Sequence, residues 1–99
     1  MWYTKYAMPT LTLEQWKIDL EKERFGQLWV HEDPPGHLYE EHSHPIDTVY
    51  VALKGSMIVW LGEQEHTVGE GERLDIAKHI SHRAKIGPHG CKFLIGCRI

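Results

Sequence analysis

The sequence GHLYEEHSHPIDTVYVALKG (residues 36–55) places His42 and His44 two positions apart, directly before an apolar run. Successive side chains of an extended strand point to opposite faces, so these two histidines project from the same face. Neutral imidazole is the commonest protein ligand for mid-series divalent metals. The pair therefore predicts a metal site. The alternative is a surface loop with a chance His-Ser-His, because the chain contains eight histidines in 99 residues.

Length and composition indicate one globular domain, residues 1–99. The hydrophobic fraction of 41% and the charged fraction of 25% argue against disorder. A net charge of −3 gives no basic field that would hold nucleic acid or an anionic membrane, so we expect neither partner. The sequence has no apolar run of transmembrane length, and its first residues are not typical of a signal peptide. We expect a cytoplasmic protein in which Cys91 and Cys97 are free thiols.

The first 25 residues predict a strand followed by a helix. Residues 1–7 are rich in aromatic side chains, which suits either a strand that pairs with a second subunit or a frayed terminus. Thr12 and Gln15 form a capping box, and Gly26 is placed to end the helix.

From residue 26 onward the sequence predicts short strands separated by turns. Turn signals stand at residues 33–36, 54–55, 62–63, 69–71 and 87–90. The predicted strands are 27–32, 38–44, 48–53, 57–61, 64–68, 72–76, 82–86 and 91–98. Short strands without helices between them indicate an all-β antiparallel sandwich or barrel.

Two motifs resemble those of small single-domain cupins. The first cupin motif is glycine, five residues, His-x-His, three or four residues, glutamate, six residues, glycine; Gly36, His42, His44 and Gly55 stand at its positions. The second is glycine, five residues, Pro-x-Gly, two residues, histidine, three residues, asparagine. It is matched at Gly71 and His82, with substitutions at Ala77, His79 and Ile86. The resemblance covers residues 26–99.

The resemblance implies a cupin double-stranded β-helix, a jelly-roll barrel, with one short N-terminal helix. It also implies a divalent transition metal (iron, nickel, manganese or zinc) on His42, His44 and His82. Thr48 stands where cupins have the fourth ligand, a glutamate. A hydroxyl does not neutralise a cation as a carboxylate does. The resemblance therefore implies a three-histidine centre.

Three further residues are candidate catalytic groups. Glu40 shares the strand parity of His42 and is a possible fourth ligand or proton acceptor, with a solvated rim residue as the alternative. Tyr50 shares the histidines' parity and is either a pocket wall or core packing. His79 lies beside the second motif and is either a proton shuttle or a surface histidine. Asp47 is a weaker candidate than Glu40, because strand alternation points it away from Thr48.

Three functions are compatible with these features. The first is a metal-dependent enzyme of small molecules, most plausibly a dioxygenase, since the resemblance includes cupin dioxygenases with three-histidine iron. The second is a non-catalytic barrel that holds a small ligand or a metal, as a sensor or storage protein. The third is a cupin that has lost its metal, which the presence of Thr48 favours. A homodimer is expected in each case.

Overall fold

The structure, a computed structural model, describes residues 3–7 and 11–98. These residues form seven strands and one helix, joined by turns and loops. In chain order they are β1 (Tyr3–Ala7), α1 (Leu13–Lys22), β2 (Phe25–Asp33), β3 (Leu38–His42), β4 (Thr48–Leu61), β5 (Gln64–Gly69), β6 (Glu72–Ile76) and β7 (His82–Arg98). Met1 and Trp2, part of the predicted first strand, lie outside the described residues.

All strand pairs are antiparallel, and the order in the sheet is β1-β6-β4-β7-β2. Strand β3 also pairs with β7, and β5 pairs with β4, so that the sheet curls into a barrel around one set of side chains. The prediction of an all-β jelly roll with one short helix is confirmed. The N-terminal strand, for which the sequence left open pairing with a second subunit or a frayed terminus, has its backbone paired with β6 of the same chain.

The breaks predicted at residues 54–55 and 87–90 are wrong. Strands β4 and β7 run through these positions, and register shifts between Ala52 and Lys54 and between Gly55 and Met57 accommodate the bend. Gly55 and Gly90 both have positive φ angles, +79° and +78°, which glycine adopts without a steric penalty. The glycines therefore bend two long strands where the sequence pattern predicted turns between four short ones.

Helix α1 begins as the sequence predicts. The Thr12 side chain accepts a hydrogen bond from the Gln15 backbone, and the Gln15 side chain accepts one from the Thr12 backbone. The helix ends at Lys22, earlier than the predicted Gly26, because Arg24 takes the left-handed conformation (φ 72°) usual after a helix. Its buried face, Trp16 and Leu20, packs outside the barrel on Phe25, Val49, Val51 and Leu94.

The interior of the barrel is a second cluster of apolar side chains from β4, β5, β6 and β7. Cys91 and Cys97 are buried free thiols, as predicted. No helix within residues 11–98 has the length and apolar composition needed to cross a bilayer.

Candidate metal and ligand site

Three histidines meet inside the barrel. His42 ends β3 directly opposite His82, the first residue of β7. His44 follows β3, and its carbonyl accepts a 2.7 Å hydrogen bond from the backbone N–H of His79. The ring centroids are 4.3 Å apart for His42 and His82, 4.9 Å for His42 and His44, and 5.3 Å for His44 and His82. One nitrogen from each ring lies within 4.8 Å of the other two, so the group could hold a metal ion.

Backbone carbonyls orient two of the rings. His42 Nδ1 lies 2.7 Å from the Glu40 carbonyl, and His82 Nδ1 lies 3.0 Å from the Ile80 carbonyl. A carbonyl only accepts hydrogen bonds, so each Nδ1 carries a proton and each neutral ring keeps its lone pair on Nε2. A hydrogen bond from the second ring nitrogen is the usual support of a metal-binding histidine.

Burial keeps the inner two rings neutral. It is the largest cause lowering the pKa of His44, with His42 second. It also lowers the pKa of His82, partly opposed by the Ile80 hydrogen bond, while His42 and His44 lower this pKa further. His44 Nε2 is buried and has no hydrogen-bond partner among the described residues. An unpartnered buried nitrogen beside two other imidazole lone pairs fits a transition-metal ligand set.

A cavity of about 260 Å³ adjoins the histidines. The apolar part of its wall comes from Trp29, Met57, Val59, Ala84, Ile86, Phe93 and Ile95. Its polar lining also includes Tyr50, whose hydroxyl lies 3.3 Å from His82 Nε2 and is the donor, since that nitrogen holds a lone pair. Burial, with Cys97 as a lesser cause, raises the pKa of Tyr50 to about 12. Tyr50 is therefore a protonated phenol beside the histidines.

Thr48 also lines the cavity and is only 2% exposed. Its hydroxyl lies 3.3 Å from the Ile46 carbonyl and donates to it. The position at which cupins carry a glutamate thus faces the interior of the barrel and presents a neutral group there.

Glu40 and Asp47 do not point into the cavity. A register shift between Tyr39 and His42 changes the strand parity, so Tyr39 faces inward and Glu40 is exposed. The Asp47 carboxylate accepts hydrogen bonds from the Lys78 backbone at 2.9 Å and the Arg98 guanidinium at 3.0 Å. The parity argument for Glu40 is wrong because it assumed an unbulged strand.

His79 is exposed, has a φ of 68°, and is absent from the cavity lining. Only its backbone supports the site, through the bond to His44. His79 occupies the glycine position of the second motif, and its positive φ accounts for the glycine preference there. No sequence pattern predicted that His79 contributes through its backbone N–H group.

Several cavity residues were not identified from the sequence. Tyr39 was missed because the bulge in β3 changes which residues face inward. Trp29 and His31 lie on the same face of β2, but no sequence pattern linked that strand to the site. Phe93, Ile95 and Cys97 belong to the buried core or pack against it, and they also line the cavity. On β4, Met57 and Val59 face inward, while Trp60 lies outside under the Arg83 guanidinium at 4.2 Å.

The AraC-like ligand binding domain family matches residues 24–95, most of the chain. The chain belongs to this cupin family. No curated protein matches the sequence significantly.

Solved structures show the same fold. A cupin superfamily protein from Desulfitobacterium hafniense is similar with a TM-score of 0.66 and 16% identity, over 98% of this cupin and 77% of that chain. The DMSP lyase DddQ from Ruegeria pomeroyi has a TM-score of 0.67 and 22% identity, over 73% and 37% of the two chains. An HTH_3 family transcriptional regulator from Vibrio cholerae has a TM-score of 0.66 and 16% identity, over 79% and 45%.

Proposed function

We propose that His42, His44 and His82 bind one divalent transition metal and that the adjoining cavity takes a small-molecule substrate. The observation that carries this proposal is the buried, unpartnered Nε2 of His44 beside two rings whose Nδ1 atoms are held by carbonyls. A buried polar atom without a partner costs roughly 1–3 kcal/mol. A metal ligated at this nitrogen removes that cost.

Imidazole ligands favour iron, nickel, manganese or zinc over calcium or magnesium. When bound by three neutral histidines, such a metal supplies a Lewis-acid centre with open positions for water, dioxygen or substrate. The chain's own residues would do the rest. The apolar wall excludes water and holds the substrate body, and Tyr50 holds a proton next to His82.

We favour oxygen-dependent conversion of the substrate, a dioxygenase-like activity. Thr48 supports it, because a neutral residue at the fourth position leaves the metal's charge undiminished and a coordination position open. The mostly apolar cavity supports it as well, since reactive intermediates are protected where water is excluded.

A ligand sensor is the second candidate. Domains of the matched family bind small molecules, and the similar Vibrio cholerae protein is a transcriptional regulator. In this role the same metal and cavity would hold a ligand without converting it. The similar lyase shows that the fold also occurs in an enzyme.

Metal titration of untagged, metal-free protein tests the proposal. We expect one equivalent of Co²⁺ or Zn²⁺ to bind, and His42→Ala, His44→Ala or His82→Ala to weaken binding by at least about 100-fold. His89→Ala is the matched control, because His89 is exposed on an outer surface and should leave affinity unchanged. Failure to take up a stoichiometric metal would contradict the site and support a cupin that has lost its metal.

Oxygen consumption separates the two functions once metal binds. Iron-loaded protein would be assayed with thiols, diketones and hydroxylated aromatic compounds. Consumption that depends on both substrate and His82 supports the enzyme. Saturable binding of a compound without turnover supports the sensor.

A further inference from the structure

Tyr39 brings a second polar group to the cavity, away from the histidines. Tyr39 pairs with Ala84 of β7, whereas His42 pairs with His82, two residues earlier on the same strand. Two residues of strand span roughly 7 Å, so Tyr39 lies about one rung along the barrel from the histidines. The His37 and Tyr39 rings pack against each other in a T-shaped arrangement, with centroids 4.9 Å apart. The phenol is therefore held in a fixed position in the cavity wall.

The Tyr39 hydroxyl donates its hydrogen to Asp33 Oδ2. The Asp33 side chain is only 10% exposed, and its other oxygen, Oδ1, lies 3.8 Å from His31 Nε2. Burial and this carboxylate raise the pKa of Tyr39, so the phenol keeps its proton. With its one hydrogen committed to Asp33, the Tyr39 oxygen can only accept a hydrogen bond from a ligand.

We propose that the Tyr39–Asp33 pair is a second anchor for the ligand, selecting molecules with an O–H or N–H donor at the end remote from the histidines. This inference rests on the proposed function, in which the near end of the ligand binds the metal. Thr48 already donates its hydroxyl hydrogen to the Ile46 carbonyl, and the Tyr50 hydroxyl lies beside His82, at the opposite end of the ligand. The substrate class is thus a small molecule with a metal-binding head, an apolar body and a donor-bearing tail.

Ligand binding to Co²⁺-loaded protein tests this selectivity. The probes are 3- and 4-hydroxybenzoate, each compared with its methoxy analogue, which accepts but cannot donate a hydrogen bond. Binding is followed by the cobalt absorption spectrum and by calorimetry. We expect at least one hydroxy compound to bind about tenfold more tightly than its methoxy analogue, the effect of one hydrogen bond in a buried site.

Tyr39→Phe should abolish this preference while leaving the affinity for Co²⁺ unchanged. Asp33→Ala should reduce it, because the freed phenol hydrogen can then be donated to a methoxy oxygen. Tyr50→Phe is the matched control: it removes the same atom beside His82 and should keep the preference.

The two proposals fail in different ways. Absence of Co²⁺ binding would contradict the proposed metal centre. Normal Co²⁺ binding without a hydroxyl preference in the wild type, or with one that survives Tyr39→Phe, would overturn the second anchor. In that case the pair would only connect β2 to β3.

Discussion

Gly55 lies where the backbone of β4 closely approaches that of β7. A Cβ atom at this position would stand 2.1 Å from the Gly90 carbonyl oxygen and 3.1 Å from the Cys91 Cα. The φ angle of +79° also disfavours any other residue. The glycine that closes the first motif is thus required by the approach of two strands, independently of any ligand.

Gly55→Ala should lower the free energy of unfolding by roughly 3 kcal/mol or more, through backbone overlap added to the cost of the left-handed conformation. Gly62→Ala is the control, because Gly62 also has a positive φ (+64°) but has open space around its Cβ. It should cost about 1 kcal/mol. Urea denaturation measures both; equal losses in the two variants would show that the close contact is unimportant.

Helix α1 is joined to the barrel by a buried guanidinium. Arg73 on β6 is 3% exposed and makes two hydrogen bonds to Glu23, at 2.6 and 2.7 Å, just after the helix. It also donates to Asp75, and Arg98 donates to the Glu23 carbonyl at 3.1 Å. The hydrogen bond from Arg73 is the largest cause that lowers the pKa of Glu23. These bonds connect the end of the helix to β6 and β7.

Arg73→Met should destabilise the protein by about 2 kcal/mol, because it leaves two carboxylates without their buried partner. The loss stays below that of a fully buried pair, since Glu23 is 38% exposed and Asp75 25% exposed. Arg83→Met is the control: Arg83 is exposed and packs over Trp60, which is worth under about 1 kcal/mol. Thermal and urea denaturation compare them, and a smaller loss for Arg73→Met than for Arg83→Met would contradict the structural role.

At the scale of the whole molecule, the barrel desolvates histidines that the unfolded chain leaves in water. His44 and His82 have pKa values lowered from 6.5 in the folded protein. The unfolded state therefore binds protons more readily, and protonation favours unfolding. The stability associated with these rings is complete above pH 6.5 and is lost as the pH falls towards their lowered pKa values.

With metal removed by a chelator, the free energy of unfolding should decrease between pH 7 and pH 5. The carboxyl of Glu23, whose pKa lies below 4.5, acts outside this window. His44→Ala should make the decrease shallower, since one of the two shifted groups is gone. Urea denaturation at several pH values measures the slope, and a stability that is constant or rises on acidification would count against neutral buried rings. Because the pKa values of His44 and His82 are lowered, protons should compete with a metal for these two rings only below pH 6.5.

Local patterns in the sequence were sufficient for the all-β fold class and the N-terminus of the helix, and the resemblance to cupins was sufficient for the grouping of the three histidines. Capping by Thr12 depends on residues three apart, and the glycines and histidines of the two motifs stand at fixed intervals along the chain. Such short-range relations can be read directly. The homodimer, the metal and the cytoplasmic location remain predictions.

Only the tertiary structure decided which side chains share the cavity with the histidines. Bulges in β3 and β4 invert the inward and outward faces partway along a strand, which brought Tyr39 in and left Glu40 outside. One extra residue in a strand moves every later side chain to the opposite face of the sheet, and the residue types around the bulge do not predict it. Residues 36–55 by themselves therefore placed His42 and His44 together, and the resemblance to cupins added His82, whereas strand pairing with β2 and β7 determined the cavity beside these histidines.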